Sequence, residues 1–176
     1  MSPMVTTSRL NPKARLEVQR LWPQVWGLAA AITGDRHAAE DLAQDAILKL
    51  LSTKSAIDFD RPLRPLLLTI VRRLALDHAA GRPRKALPLI EGDPEAPENS
   101  PDEFARRRER KKLLWEALED LPPVWRAVLW LRDGLGDSYA QIAEILEITT
   151  DVVRTTLHRA RRRLRAKLEA QMEDLS

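Results

Sequence analysis

Six side chains late in the chain have the types and spacing to read a nucleic acid: Asp151, Arg154, Thr155, His158, Arg159 and Arg162. At helical periodicity they lie mainly opposite Val153, Leu157, Ala160, Leu164 and Leu168, which leaves an apolar stripe for the protein and a basic face for something anionic. Arginine offers two parallel donors to the acceptor edge of guanine, and threonine meets a polar base edge or the thymine methyl. Arg161, Arg163, Arg165 and Lys167 add charge that suits phosphate contact or solubility. Phosphate contacts raise affinity, fade with salt and choose no sequence. A merely solvated basic helix is the plain alternative. Immediately upstream, Ser138 with Gln141 three residues on forms a capping box at the start of Tyr139-Ala-Gln-Ile-Ala-Glu-Ile-Leu. A compact helix, a tight turn and a long arginine-studded helix make a helix-turn-helix, whose second helix enters the major groove of DNA.

Other constellations carry different chemistry. Glu40, Asp41, Gln44 and Asp45 make an acidic and amide surface that repels phosphate. Such a face docks a protein, or is ordinary helix solvation. Arg72, Arg73, Arg82, Arg84 and Lys85 cluster where they can track a nucleic-acid backbone. Asp77 and His78 beside them either bond to bases and backbone or cap and solvate a helix end. Phe59, in a loop, is a platform for an unstacked base or a cover over the core. Trp22, Trp26, Trp115, Trp125 and Trp130 all fall in predicted helices, where aromatic bulk packs. No catalytic arrangement emerges: His37, His78 and His158 lack a nucleophile pattern, and there is no glycine-rich phosphate loop or HExxH. The chain has no cysteine, which excludes disulfides and thiolate metal sites. No catalytic residue, metal or cofactor is expected.

The elements that position these groups are helices, and the fold class is all-α. Residues 10–80 form a first block. Pro12 opens a helix bearing Leu21, Val25, Leu28, Ala29 and Ile32, with a kink or restart near Pro23. Gly34 ends it and Asp35 caps the next, which buries Ala39, Leu42, Ala46, Ile47 and Leu50. A loop near 52–61 precedes a third helix, from Pro62 or Pro65 to about His78. Its stripe is Leu63, Leu67, Ile70, Val71 and Leu74, and Arg72, Arg73 and Asp77 are candidates for exposure. Periodicity disappears over 81–100, where Pro83, Pro88, Pro94 and Pro97 accompany Glu91, Asp93, Glu95 and Glu98. This is a proline-rich, acidic, solvated linker and a domain boundary. Residues 101–170 form the second small helical domain: a long helix to the Leu121-Pro122-Pro123 stop, a helix carrying Val124, Ala127, Val128 and Leu131, then the helix-turn-helix.

With 176 residues, 44% of them hydrophobic, the chain suits one domain or two small ones. The net charge of +3 is modest, so its uneven distribution matters more. Leu66 to Val71 is too short to span a bilayer, which argues against membrane insertion. The first residues lack a signal-peptide core, so a cytoplasmic location is expected.

Read together, the two blocks resemble the extracytoplasmic-function sigma factors of the bacterial sigma-70 family. Ile32-Thr-Gly-Asp-Arg-His-Ala-Ala-Glu-Asp-Leu-Ala-Gln-Asp-Ala-Ile-Leu-Lys-Leu is similar to the family's polymerase-binding helix and its approach. Pro65-Leu-Leu-Leu-Thr-Ile-Val-Arg-Arg-Leu-Ala-Leu-Asp-His resembles the helix that follows the melting loop and reads the minus-ten element. Leu121-Pro-Pro-Val-Trp-Arg-Ala-Val-Leu-Trp-Leu, the Ser138 segment and Val153-Arg-Thr-Thr-Leu-His-Arg-Ala-Arg-Arg-Arg-Leu-Arg resemble the domain that reads the minus-thirty-five element. The resemblance implies that Glu40, Asp41, Gln44 and Asp45 meet core RNA polymerase. It places Phe59, Arg72, Arg73, Asp77, His78 and Arg82 at the minus-ten element, with the loop 55–61 capturing a flipped base. It assigns Arg154, Thr155, His158, Arg159 and Arg162 to the minus-thirty-five element. Relatives often carry tryptophan near Leu66, asparagine near Arg73 and a glycine-valine pair where the last helix begins here with Thr149-Thr-Asp-Val-Val. The implied partners are core RNA polymerase, promoter DNA and a cognate anti-sigma protein, and the implied role is transcription initiation at stress-response genes. Two rivals stand beside it: a plain helix-turn-helix regulator, and a protein whose two blocks bind only other proteins.

Overall fold

The computed structural model describes residues 12–52, 62–81 and 112–174. All regular structure in them is helical. Helix α1 spans Pro12–Thr33, α2 Arg36–Ser52 and α3 Leu63–Ala80. The second block holds helical residues 112–119 (α4), then α5 Pro123–Leu129, a π-helical turn Trp130–Gly134, α6 Tyr139–Leu146 and α7 Thr150–Asp174.

Local chemistry accounts for the boundaries. Gly34 takes φ 68°, a left-handed turn that glycine adopts without steric cost, and stops α1. The Asp35 carboxylate then accepts from the His37 and Ala38 amides at 3.0 and 3.1 Å, satisfying donors that the first turn of α2 leaves orphaned. Pro123 stands at the first position of α5, where its missing donor costs nothing. Ser138 and Gln141 close the expected capping box on α6. The Thr149 hydroxyl accepts from Val152 at 3.3 Å at the start of α7. Of the kink or restart expected near Leu21 to Pro23, the restart does not occur: α1 runs as one helix through Pro23. Pro23 lies on the exposed side while Leu21 and Val25 are buried around it, so packing outweighs the lost hydrogen bond. The start of the long helix expected after Pro101 lies outside the described residues.

The predicted stripes form the core. Leu28, Ile32, Leu50, Leu67, Val71, Leu131, Ile142, Ile145, Val153 and Leu157 are all essentially inaccessible. Whether the two blocks stand apart was open from the sequence. They do not: one continuous apolar cluster runs from Val18 on α1 to Ala160 on α7. Trp130 lies so close to Gly27 that a Cβ there would sit 2.3 Å from its ring, so the α1 backbone admits the indole only because residue 27 has no side chain.

A buried arginine ties the blocks together. Arg126 of α5 donates to the Ala31 and Ile32 carbonyls at 2.5 and 2.7 Å, and to the Leu121 carbonyl at 2.9 Å. The first two are end carbonyls of α1, which lack intrahelical donors and carry the negative pole of the helix dipole. Arg126→Ala strips these carbonyls of their donor within a dry interface. It is expected to lower stability by about 3 kcal/mol, read as a reduced urea midpoint.

Candidate nucleic-acid interface

Helix α7 presents its cations as the periodicity predicts. Val153, Leu157 and Ala160 are buried against α5 and α6, and Asp151, Arg154, Thr155, His158, Arg159 and Arg162 are exposed. Three residues, Glu147 to Thr149, separate α6 from α7, so the first turns of α7 stand clear of the body. Arg154 donates to Asp151 at 2.9 Å, which prepositions its guanidinium beside the helix start. Two of the remaining cations are not free for phosphate. Arg161 is bonded to Asp133 of the π-turn, and Lys167 pairs with Asp120 at 2.8 Å. The Asp133 carboxylate also pushes the Arg161 pKa up, fixing its charge. Arg154, Arg159 and Arg162 remain exposed on the early part of the helix, with Arg163 and Arg165 exposed beyond them.

The acidic patch on α2 is also in place. Asp41 and Asp45 are exposed one helical turn apart, and Glu40 and Gln44 are half-buried beside them. Leu42, Ala43, Ala46 and Ile47 hold the opposite side of α2 in the core, so the acids project from a rigid element.

The third cluster departs from expectation. Phe59 and Arg82 lie outside the described residues. Asp77 is exposed and His78 half-buried near the end of α3. Arg72, expected on the surface, is only 8% exposed. Its position on the helix faces the second block, and its guanidinium is used there, donating to the Leu146 carbonyl at 3.0 Å and to the Glu147 carboxylate. Arg73 remains exposed, yet it too is bonded to Glu147. Its hydrogen bond first, and that of Arg72 next, hold the Glu147 carboxyl below the usual carboxylate range. Because this pKa is lowered on docking, the contribution of Glu147 is complete above the ordinary carboxylate range and is lost only as pH falls through the lowered value. Acid titration is therefore expected to loosen the contact between α3 and α6 only below that range, and a Glu147→Gln chain should lack this component of the titration.

Four residues that matter here went unnoticed in sequence: Arg64, Arg126, Asp137 and Glu147. Arg64 bonds Gln24 at 2.6 Å and the buried Asp137 at 2.8 Å, joining α1, α3 and the entry to α6. Arg132 donates to the Asp137 carbonyl at 2.7 Å and lies 5.2 Å from the Tyr139 ring centre, fixing the same turn. None has a sequence signal, because each works through a contact at least 40 residues away or through a local turn.

Two sigma-70 descriptions match the chain in this order: Sigma-70 region 2 over residues 18–84 and Sigma-70 region 4 over residues 111–164. The ECF RNA polymerase sigma factor SigL of Mycobacterium tuberculosis is 33% identical over 147 residues, spanning 82% of either chain. The RNA polymerase sigma factor YlaC of Bacillus subtilis is 30% identical over 141 residues, 78% of this chain and 82% of its own. The fold is shared at 21% identity with the sigma factor RpoE from Bartonella quintana, solved with the anti-sigma factor NepR, at a TM-score of 0.66 over 88% of this chain and 96% of that one. It is shared equally with CnrH, solved with the cytosolic domain of CnrY, at 21% identity and a TM-score of 0.60 over 90% and 96%.

A region 2 block followed by a region 4 block defines a sigma-70-type protein. More narrowly, the chain belongs to the ECF RNA polymerase sigma factors. Its function is thus that of a sigma factor, in core polymerase binding and promoter recognition, and it is not an enzyme. Among the described residues, no helix is long and apolar enough to cross a membrane.

Proposed function

We propose that this sigma factor docks on core RNA polymerase through the acidic face of α2 and reads its promoter with two separate surfaces. Glu40, Asp41, Gln44 and Asp45 meet the polymerase. The end of α3, with Arg73, Asp77 and His78, takes the minus-ten element together with Phe59 and Arg82. Arg72 joins them only when released from Glu147. Helices α6 and α7 act as a helix-turn-helix that sets Arg154, Thr155, His158, Arg159 and Arg162 into the major groove at the minus-thirty-five element. Capture of an unpaired base by the loop 55–61 offsets the few kcal/mol needed to unstack it. The acidic, proline-rich residues 81–100 link the two readers and pass through the polymerase near the template path. The observation that carries this reading is the exposed row of cationic and polar side chains on the first turns of α7, opposite a fully buried stripe.

The protein works in the cytoplasm on stress-response genes, under a cognate anti-sigma protein. Support for that partner comes from RpoE and CnrH, solved with NepR and with the cytosolic domain of CnrY. Gel filtration of the protein with purified core polymerase, followed by a duplex-binding assay on the pooled complex, tests the assignment. Co-elution and polymerase-dependent promoter binding are expected. A plain DNA-binding regulator would instead elute apart from core enzyme and bind the promoter no better in its presence.

A further inference from the structure

The contact between Glu147 and the α3 arginines has a consequence for how the molecule engages DNA. Glu147 stands three residues before α7, and it binds Arg72 and Arg73, both assigned above to the minus-ten element. The minus-ten and minus-thirty-five surfaces are therefore adjacent. On duplex DNA the two elements lie about 25 base pairs apart, roughly 85 Å at 3.4 Å per step. Helix α7, with 25 residues, is less than half that length, about 37 Å at 1.5 Å per residue. No placement of the docked molecule brings α3 to one element while the first turns of α7 occupy the other.

The backbone at Glu147 is an independent sign that its side chain is kept for a purpose. It has φ 54°, the sole non-glycine residue with positive φ among those described, and it ends α6 in the left-handed conformation. Glycine is the residue that adopts this geometry without steric penalty. A glutamate held there accepts backbone strain and places a carboxylate on the guanidinium groups of Arg72 and Arg73, groups that pair with carboxylate and phosphate alike.

We infer that Glu147 is an internal stand-in for promoter phosphate, a latch that occupies Arg72 and Arg73 in the free protein and must release them before both promoter elements can be read. The inference rests on the promoter-reading roles proposed above. The latch leaves the recognition face of α7 exposed, so it blocks the minus-ten surface selectively. Arg64–Asp137 and Arg126 hold the same closed arrangement from the side. Core polymerase, by binding α2 and separating the two blocks, would couple enzyme binding to release of the arginines.

The absence of cysteine allows two to be introduced as unique labelling sites. Arg20 is exposed one turn from Gln24, and Ala140 is exposed three residues beyond Asp137, so they flank the Gln24–Arg64–Asp137 chain. In an Arg20→Cys, Ala140→Cys protein carrying a donor and acceptor dye, energy transfer should be high when free and fall by more than half on binding core polymerase. In parallel, Glu147→Gln should bind a single-stranded dT20 oligonucleotide about fivefold more tightly, and the gain should vanish when Arg73→Ala is added. Circular dichroism checks that the variants are folded. High transfer persisting in a polymerase complex, or a Glu147→Gln chain with unchanged dT20 affinity, overturns the latch. Failure to bind polymerase at all would instead overturn the docking role of α2.

Discussion

Replacing Arg154 and Arg159 together by glutamate is expected to weaken binding to a minus-thirty-five duplex about a hundredfold. Both side chains are exposed on the early part of α7, where a recognition helix touches base edges. A base-directed arginine is worth about 1–3 kcal/mol, so losing two costs about 3 kcal/mol, which is a hundredfold in affinity. Reversal adds repulsion from phosphate, whereas alanine would not. The salt dependence should change as well: each lost phosphate contact flattens the log–log slope by about 0.9. Thermal stability should hold, since neither side chain fills the core. Fluorescence anisotropy across a salt series measures both effects. Undiminished promoter binding by a folded double variant would remove Arg154 and Arg159 from the minus-thirty-five contact, whereas a parent chain that leaves the duplex unbound would favour a protein in which both blocks bind only other proteins.

Asp41→Lys with Asp45→Lys is expected to weaken core polymerase binding at least thirtyfold, about 2 kcal/mol. The two carboxylates are exposed on one face of α2, and lysine is at least as good a helix former as aspartate, so the helix should persist. Charge reversal in a complementary interface replaces attraction with repulsion and slows association. Binding of a minus-thirty-five duplex by the isolated protein should stay within twofold, because α7 lies on the other block. Titration of labelled protein with core enzyme separates the two effects. Equal affinity of the variant and the parent chain would remove α2 from the polymerase interface.

The helices and their faces were legible because their signals are local. The Asp35 cap, the Ser138–Gln141 capping box, the proline pair before α5 and the stripe on α7 each depend on residues within a turn or two. From that periodicity the exposed row from Asp151 to Arg162 followed directly. The resemblance to the sigma family, resting on three motifs in order, reached the class of protein that the comparisons bear out.

What escaped the sequence is long-range. Arg72 shares a helix with solvent-facing neighbours, and nothing nearby indicates that α6 covers it. Glu147 reads as one more acid after a helix, and its carboxylate acquires meaning only beside Arg72 and Arg73. Gly27 looks like an unfavourable residue inside a helix until Trp130 is placed against it. The docking of the two blocks is written in such pairs, separated in sequence by the linker. That α1 continues through Pro23 without a restart has the same origin, because tertiary burial on either side overrides a local preference.

The most direct test of the account is transcription by purified core RNA polymerase on genomic fragments, with and without this protein, followed by mapping of the RNA 5′ ends. Discrete new starts that share paired upstream motifs are expected, as is their loss with the Arg154→Glu, Arg159→Glu protein. An RNA profile identical to that of core enzyme alone would contradict it.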